Sequence, residues 1–231
     1  MSSAYWCVIP AAGSGARFGG DMPKQYVEVA GRSILLHTLD ALLSHPRVKG
    51  AMVALSNDDA YWPAALTRLH GKPVLTCAGG VSRAASVSNA LAALPVEVGQ
   101  GDIVLVHDAA RPNLAHGDLD ALFDALAAHP QGAILAAPVR DTLKRANDEG
   151  DIAATEPREK LWRAFTPQAF PRGLLAKALG DAATAGAQVT DEAMAMERIG
   201  IRARLVEGRE DNFKITTPAD LARFEFMVAR R

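Results

Sequence analysis

The chain has 231 residues, of which 49% are apolar and 22% charged, a composition typical of one soluble domain with a full core. Its formal net charge of −1 provides no overall basic surplus for nucleic acid or a membrane surface, so an anion site would have to be local. We expect no signal peptide, no membrane span and two buried thiols, Cys7 and Cys77, and therefore a cytoplasmic protein.

Short apolar runs alternate with longer amphipathic stretches over the first 139 residues. The apolar runs predict strands at residues 5–10, 48–55, 72–78, 102–108 and 132–139. The amphipathic stretches predict helices at residues 33–45, 59–69, 82–94 and 117–128. Because this alternation with uniformly apolar strands favours a sheet covered on both faces, we expect an α/β, doubly wound, mostly parallel Rossmann-like sheet.

Residues 140–168 break this pattern because they are mainly polar. Segments 142–145 and 152–155 flank a turn signal and predict a hairpin. We interpret the whole of 140–168 as an arm that projects from a single domain of residues 1–231. Beyond the arm, the pattern predicts helices at residues 172–185, 191–199 and 217–230, with a strand at 202–208.

A glycine-rich segment, "PAAGSGARFGGDMPKQY" (residues 10–26), follows the first predicted strand. Ligands bind at the carboxyl ends of strands in doubly wound sheets, and glycines allow main-chain N–H groups to approach phosphates closely. The alternative interpretation is an ordinary tight turn. The segment is not a P-loop, because Asp21 stands where that motif needs a lysine.

Two nucleotide-binding interpretations of the glycine-rich segment differ in what the cations and glycines do. A dinucleotide site needs a helix that begins among the glycines, and Gly19, Gly20 and Pro23 interrupt such a helix. A nucleoside triphosphate held by an irregular loop needs both main-chain donors and positive side chains, which Arg17 and Lys24 provide. The triphosphate interpretation fits the residues best.

The same segment resembles the signature loop of the nucleotidyltransferases. More closely, the chain resembles the 2-C-methyl-D-erythritol 4-phosphate cytidylyltransferase family over its whole length. The blocks that carry this resemblance include "AGGVSRAASV" (78–87), "VLVHDAARP" (104–112), "APVRDTLKR" (137–145), "LWRAFTPQAF" (161–170), "VTDEAMAME" (189–197) and "LVEGREDNFKIT" (205–216). The resemblance implies the nucleotidyltransferase fold and transfer of a cytidylyl group from CTP to 2-C-methyl-D-erythritol 4-phosphate, with release of pyrophosphate.

The resemblance also implies three sets of site residues. The catalytic cations would be Arg17, Lys24, Arg158 and Lys214. The nucleotide-binding residues would be Ala11, Ala12, Gly13, Ser14, Gly15, Gly79, Gly80 and Ser86. The residues that bind the polyol phosphate would be Asp108, Ala109, Arg111, Thr142, Thr166 and Thr190.

This reaction requires positively charged side chains rather than a general base. A phosphate monoester is already mostly ionised at neutral pH, so we expect no catalytic histidine and assign His107 a structural role. We expect Mg²⁺ to be held mainly by the phosphates of CTP, with Asp108 on a metal-bound water or a sugar hydroxyl, and we predict no dedicated metal site in the protein.

In the resembled family the arms of two subunits interlock. The resemblance therefore implies a homodimer in which Thr142, Arg158 and Thr166 act at the partner's site. A partner would also cover three apolar side chains that we expect to be exposed, Leu161, Trp162 and Phe165.

The chain departs from the family pattern at Ala16, where a second arginine is usual, and at Val81, where an acidic residue is frequent. Other functions compatible with the sequence are cytidylyl transfer to another polyol phosphate such as ribitol 5-phosphate, uridylyl or guanylyl transfer to a sugar 1-phosphate, a dinucleotide-dependent oxidoreductase, and a non-catalytic nucleotide-binding dimer.

Overall fold

An eight-stranded sheet organises the chain in the computed structural model, which describes residues 4–13 and 22–230. The strands are β1 (Tyr5–Pro10), β2 (Glu28–Val29), β3 (Arg32–Ser33), β4 (Val48–Leu55), β5 (Arg68–Leu69), β6 (Lys72–Ala78), β7 (Ile103–Val106), β8 (Ala133–Pro138), β9 (Leu143–Ala146), β10 (Ile152–Glu156), β11 (Trp162–Pro171) and β12 (Arg204–Glu207). The helices are α1 (Ile34–Leu43), α2 (Arg83–Ala93), α3 (His116–Ala128), α4 (Arg172–Thr184), α5 (Glu192–Arg198) and α6 (Pro218–Val228), with a 3-10 helix at Lys24–Tyr26.

The strand order of the main sheet is β12-β8-β11-β7-β1-β4-β6-β5. β1 is parallel to both β4 and β7, β4 is parallel to β6, and β12 is parallel to β8. Only β11, between β7 and β8, and the short β5 run antiparallel to their neighbours in the described sheet. The prediction of an α/β, mostly parallel doubly wound sheet is therefore confirmed.

Apolar side chains fill both sides of this sheet. On one face, α1 and α3 contribute buried residues such as Leu39 and Phe123. On the other face, α2, α4 and α5 contribute residues such as Leu91 and Leu179. A smaller cluster around Phe224 attaches α6 to the start of α1. Burial of both faces explains why the strands are almost uniformly apolar in sequence.

Hydroxyl side chains fix the starts of three helices. Ser33 and Ser82 each accept a hydrogen bond from the main-chain N–H three residues further on, at the beginnings of α1 and α2. Thr217 and Asp220 form a reciprocal capping box around Pro218 at the start of α6. Among the described residues, no helix is both long and apolar enough to cross a membrane.

The predicted helix at residues 59–69 is wrong. These residues form turns that end in β5. The Asp59 carboxylate accepts hydrogen bonds from the main-chain N–H groups of Tyr61 and Trp62, and Pro63 follows directly without an N–H of its own. The apolar spacing that suggested a helix belongs to a loop that covers the core.

The predicted arm ended too late in the sequence, because residues 162–168 belong to β11 inside the main sheet. Phe165, predicted to be exposed, is only 6% exposed. The polar residues of this strand have partners within the chain: the Gln168 amide donates to Asp191 and accepts from the Ala193 N–H. Polar residues can lie in this buried strand because their hydrogen bonds are made inside the chain. Their polarity is the reason why the sequence pattern did not predict a core strand.

The predicted hairpin is present. β9 and β10 pair antiparallel in a separate two-stranded sheet, with Leu143 opposite Glu156 and Ala146 opposite Ile152. Nearly all of its side chains are exposed, including Ile152 at 69%. Its projection toward a partner subunit stays a prediction.

Candidate active site

A cavity of about 670 Å³ opens at the carboxyl edge of the sheet. It is lined by residues 10–13 after β1, residues 80–83 after β6 and residues 108–110 after β7, together with Lys24 and Lys214. The carboxyl ends of these parallel strands lie side by side, so segments far apart in sequence meet here. The start of the glycine-rich segment and the "VLVHDAARP" block therefore meet at this cavity.

Asp108 is the centre of a charged cluster in this cavity. Its carboxyl Oδ1 lies 3.0 Å from the Arg83 Nε, and Oδ2 lies 3.1 Å from the Lys214 Nζ and 3.3 Å from the Arg111 Nε. Burial alone would raise the pKa of this carboxyl, but Arg83, Lys214 and Arg111 together hold it well below its usual range. Asp108 is therefore ionised and anchors three cations at the cavity.

A second carboxylate, Glu192 on α5, holds the other side of the Arg83 guanidinium. The two Arg83 Nη atoms lie 2.5 and 3.1 Å from the two Glu192 carboxylate oxygens. Glu192 is 1% exposed, and burial raises the pKa of its carboxyl while Arg83 opposes that rise. Neither Arg83 nor Glu192 is among the site residues predicted from the sequence, although a cation at the first position of a helix opposes the helix dipole and indicates a charged partner.

Lys24 reaches the cavity from the 3-10 helix that follows the glycine-rich segment. Its Nζ donates to the main-chain oxygen of Ile215 at 2.9 Å, next to Lys214 in sequence. Two of the predicted catalytic cations are thus close together although they lie far apart in the chain. Arg17, the third cation of this group, lies outside the described residues.

The nucleotide-binding residues that follow β1 are held in place by Gln25. Its side-chain amide donates to the main-chain oxygens of Ala11 at 2.7 Å and Gly13 at 3.2 Å. Ala12 lines the same cavity. Ser14 and Gly15, predicted to continue this surface, lie outside the described residues.

Gly79, directly after β6, makes a tight contact with the segment after β1, and Gly80 makes one with the start of α2. A Cβ on Gly79 would lie 2.4 Å from the Ala12 Cβ, and one on Gly80 would lie 2.5 Å from the Ala85 Cβ. The buried Ser86 hydroxyl accepts from the Gly80 N–H at 3.0 Å and donates to the Ser82 oxygen at 3.0 Å. The Gly79 contact brings the two loops together, and the Gly80 and Ser86 contacts hold the loop after β6 against the start of α2.

Two predicted substrate-binding residues, Thr142 and Thr190, and the predicted catalytic cation Arg158 do not line this cavity in the described part of the chain. Thr142 and Arg158 are exposed beside the hairpin, where the Arg158 guanidinium donates to the main-chain oxygen of Arg140. Thr190 is exposed before α5, with its Oγ1 3.6 Å from the Met194 sulfur. Ala109 does line the cavity, and Arg111 reaches it through Asp108.

Thr166 requires a correction. It was predicted to act from the arm on a partner's site, but it is a 4% exposed residue of β11. Its hydroxyl accepts from the Asp108 N–H at 3.0 Å and lies 3.0 Å from the His107 Nδ1. The hydroxyl therefore has its partners inside its own chain, where it fixes the main chain of the charged cluster.

His107 is fully buried and hydrogen-bonded at both ring nitrogens. Its Nε2 lies 3.0 Å from the Arg111 oxygen, which can only accept, so the proton is assigned to Nε2 and Nδ1 accepts from Thr166. Burial lowers the pKa of the ring to about 4, so the imidazole is neutral. This arrangement suits a structural group rather than an acid or base exposed to substrate.

No group of three His, Cys, Asp or Glu side chains could hold a metal ion among residues 4–13 and 22–230. Asp108 is the one carboxylate among the described residues that line the cavity, and both of its oxygens already contact cations. The described lining of the cavity therefore does not offer several carboxylates to one metal ion.

Comparison with known proteins identifies the family. The model of the 2-C-methyl-D-erythritol 4-phosphate cytidylyltransferase family (IspD) matches residues 5–230. The chain belongs to this family. Two relatives of that name, from Stenotrophomonas maltophilia strain R551-3 and Xanthomonas campestris pv. campestris strain 8004, are 64% and 61% identical over the whole chain, which covers 99% and 87% of their lengths.

Solved structures agree with this assignment. A crystal structure of a 4-diphosphocytidyl-2C-methyl-D-erythritol synthase superposes with a TM-score of 0.84 at 36% identity, over 99% of this chain and all of the other. The cytidylyltransferase structure from Thermus thermophilus superposes with a TM-score of 0.77 at 32% identity over all of both chains. As a cytidylyltransferase family member, the chain is a nucleotidyltransferase enzyme.

We expect Gly79→Ala to weaken both the fold and nucleotide binding in this cytidylyltransferase. The added methyl group would overlap Ala12, and overpacking of this kind costs about 1–3 kcal/mol of unfolding free energy. Chemical denaturation and calorimetric titration with CTP measure the two effects. Gly117→Ala on α3, where an added Cβ meets nothing within 4 Å, is the control that should leave CTP affinity unchanged. Equal CTP affinity in both variants would contradict the contact between the loops.

His107 should make folding stability depend on pH. The ring has a pKa of about 4 in the folded chain and about 6.5 when unfolded, so the unfolded chain binds more protons between these values. The contribution of the neutral ring to the free energy of unfolding is complete above pH 6.5. It is lost as the pH falls toward 4, and the total loss is at most about 3 kcal/mol. His107→Gln should flatten the pH dependence of the unfolding free energy in this window, whereas His129→Gln, at an exposed position, should not. Parallel pH profiles for wild type and His107→Gln would refute the assignment.

Proposed function

We propose that the cavity at the carboxyl edge of the sheet is where the enzyme transfers a cytidylyl group from CTP to 2-C-methyl-D-erythritol 4-phosphate. The products are 4-diphosphocytidyl-2-C-methyl-D-erythritol and pyrophosphate. The observation that carries the assignment of the site is the convergence of Lys24 and Lys214 on one cavity beside the start of the glycine-rich segment. The cavity volume of about 670 Å³ lies within the range of small-molecule sites.

The charges of this cavity favour two phosphorylated substrates at once. Arg83, Arg111 and Lys214 outnumber the carboxylates Asp108 and Glu192 by one positive charge. Lys24 adds another, and Arg17 lies on the adjoining segment of the sequence. A local positive surplus at a partly enclosed site concentrates anions, although the chain as a whole has a net charge of −1.

The reaction then needs positioning and charge neutralisation. An oxygen of the polyol phosphate, already ionised, forms a bond to the α-phosphorus of CTP, and the bond from that phosphorus to the bridging oxygen breaks as pyrophosphate leaves. Arg17 and Lys24 stabilise the negative charge on the triphosphate in the transition state. Lys214 holds the attacking phosphate in line with the leaving group. No proton is transferred to a protein base, and the neutral His107 takes no part.

Main-chain groups recognise the nucleotide. The main chain that follows β1 binds the triphosphate, and the loop of Gly79 and Gly80, supported by Ser86, contacts the base. Val81 is fully exposed at the cavity lining and has no polar group in its side chain. Base recognition at this position therefore depends on the main chain of the loop.

Mg²⁺ accompanies CTP and is held mainly by its phosphates and by water. When bound, the ion neutralises part of the phosphate charge. Asp108 is the described cavity residue that could accept a hydrogen bond from a water on the ion, although its direct partners are cations. The lysines and arginines of the cavity supply the rest of the positive charge.

The enzyme acts in the cytoplasm as a homodimer in which the hairpin of β9 and β10 completes the partner's site. Exposed Ile152 and Leu161, at 69% and 39%, are apolar side chains on this segment that a partner would cover. Thr142 and Arg158 on the same segment, away from their own chain's cavity, then bind the polyol phosphate in trans. Thr190 contributes from the other side, before α5.

Release of pyrophosphate tests this function. CTP, UTP and GTP are each assayed with 2-C-methyl-D-erythritol 4-phosphate and with ribitol 5-phosphate. The proposal predicts that CTP with methylerythritol phosphate exceeds every other pair in kcat/KM by at least about 100-fold. Preference for ribitol 5-phosphate would reassign the substrate, binding of CTP without turnover would indicate a non-catalytic dimer, and equal use of the three nucleotides would refute the proposal.

A further inference from the structure

Arg83 connects three separate parts of the chain at the cavity. It is the first residue of α2, and its guanidinium contacts Asp108 after β7 and Glu192 at the start of α5. Both Nη atoms are held by the two Glu192 oxygens, at 2.5 and 3.1 Å. Because the guanidinium is planar, this bidentate contact fixes its plane and directs Nε at Asp108.

The orientation of the Asp108 carboxylate in turn determines where Lys214 is held. Arg83 occupies Oδ1, which leaves Oδ2 to Arg111 and Lys214 on the opposite side of the carboxylate. A lysine ammonium sits on a flexible four-carbon chain and needs a fixed acceptor to define its position. The rotation of the Asp108 carboxylate sets the position of Oδ2, and the contact with Arg83 opposes that rotation.

We propose that Arg83 is a positioning residue, held in its plane by Glu192, that acts through Asp108 on Lys214. The inference rests on the proposed function, in which Lys214 holds the attacking phosphate. Arg83 itself does not need to touch substrate for this role. A purely structural ion pair would instead stabilise the fold independently of Lys214.

The test is a double-mutant cycle in kcat/KM. The paired change Arg83→Met and Glu192→Met removes both members of the buried ion pair, so no unpaired charge is left in the interior. In the otherwise wild-type chain we expect a loss of about 100-fold, as for a misplaced reacting group. In a Lys214→Met background the same paired change should cost less than about 3-fold, since the group that it positions is already absent.

Two further variants separate positioning from stability. Arg172→Met removes a guanidinium that donates to the main-chain oxygens of Leu91 and Val98, at the opposite edge of the sheet. It should lower the unfolding temperature and leave kcat/KM unchanged at a temperature where the variant is folded. Arg83→Lys keeps the charge without the planar fork and should lose about 10-fold, again only when Lys214 is present. If the paired methionine variant does not fold, Arg83→Lys takes its place in the double-mutant cycle.

The outcomes are distinct. Losses from Arg83 and Lys214 that multiply in the combined variant would overturn this inference and leave the proposed function intact. A wild-type chain that does not turn over CTP with methylerythritol phosphate would overturn both. Losses that fail to multiply, with the Arg172→Met control active, would support the positioning role.

Discussion

Lys24→Met is expected to lower kcat by about 100-fold to 1,000-fold while the fold is retained. The methionine keeps most of the side-chain length and removes the charge that neutralises the transferring phosphate. The lost hydrogen bond to the Ile215 oxygen should reduce stability by only about 1 kcal/mol. Steady-state release of pyrophosphate and chemical denaturation measure the two quantities separately.

The matched control is Lys49→Met, at an exposed position of β4. It makes the same chemical change away from the cavity and should leave kcat within about 2-fold, as expected for a surface substitution. Arg17→Ala should resemble Lys24→Met, and the two together should cost less than the product of the single losses because both act on one triphosphate. Wild-type kcat in Lys24→Met would remove this lysine from the mechanism.

Arg158→Ala is expected to lower kcat/KM by about 100-fold, and its partner subunit should be able to restore the activity. Arg158 is exposed beside the hairpin and does not line the cavity of its own described chain. Chains that carry Arg158→Ala and chains that carry Lys24→Met are co-expressed with different affinity tags, and mixed dimers are isolated. If Arg158 acts in trans, one of the two sites in each mixed dimer is intact and about half of the wild-type activity returns.

The control for the hairpin is Arg145→Ala. Arg145 pairs with Glu156 across β9 and β10 and is largely exposed, so its loss should change kcat/KM by less than about 2-fold. Mixed dimers as inactive as either parent would show that Arg158 acts within its own chain. Failure to isolate any mixed dimer, with each parent chain monomeric, would contradict the shared site altogether.

The sequence predicted the architecture because burial leaves a regular pattern. β1, β4 and β8 are apolar along nearly their whole lengths, and hydroxyl residues cap the starts of α1, α2 and α6. Both the apolar strands and the helix caps are local sequence patterns, and the packing of the folded chain agrees with them. β11 was missed because Thr166 and Gln168 are polar in sequence, and only the fold shows that their hydrogen bonds are made inside the chain.

The candidate site, too, could be predicted from the sequence only in part. The glycine-rich segment and the block around Asp108 carry recognisable patterns, so their convergence on one edge of the sheet could be predicted. The contact of Arg83 with Glu192 could not, because the two residues are 109 positions apart and nothing in their local sequence pairs them. Resemblance to the family supplied roles for Arg158 and Thr190 that the cavity of a single chain does not explain.

The most direct measurement is a crystal structure of the enzyme with CTP and Mg²⁺. The predicted result is a triphosphate on the main chain of residues 11–15, with the Lys24 Nζ and the Arg17 guanidinium within hydrogen-bond distance of its oxygens. A triphosphate bound outside the cavity, with Lys24 still on the Ile215 oxygen and Arg17 in solvent, would contradict the claim that these cations bring about cytidylyl transfer.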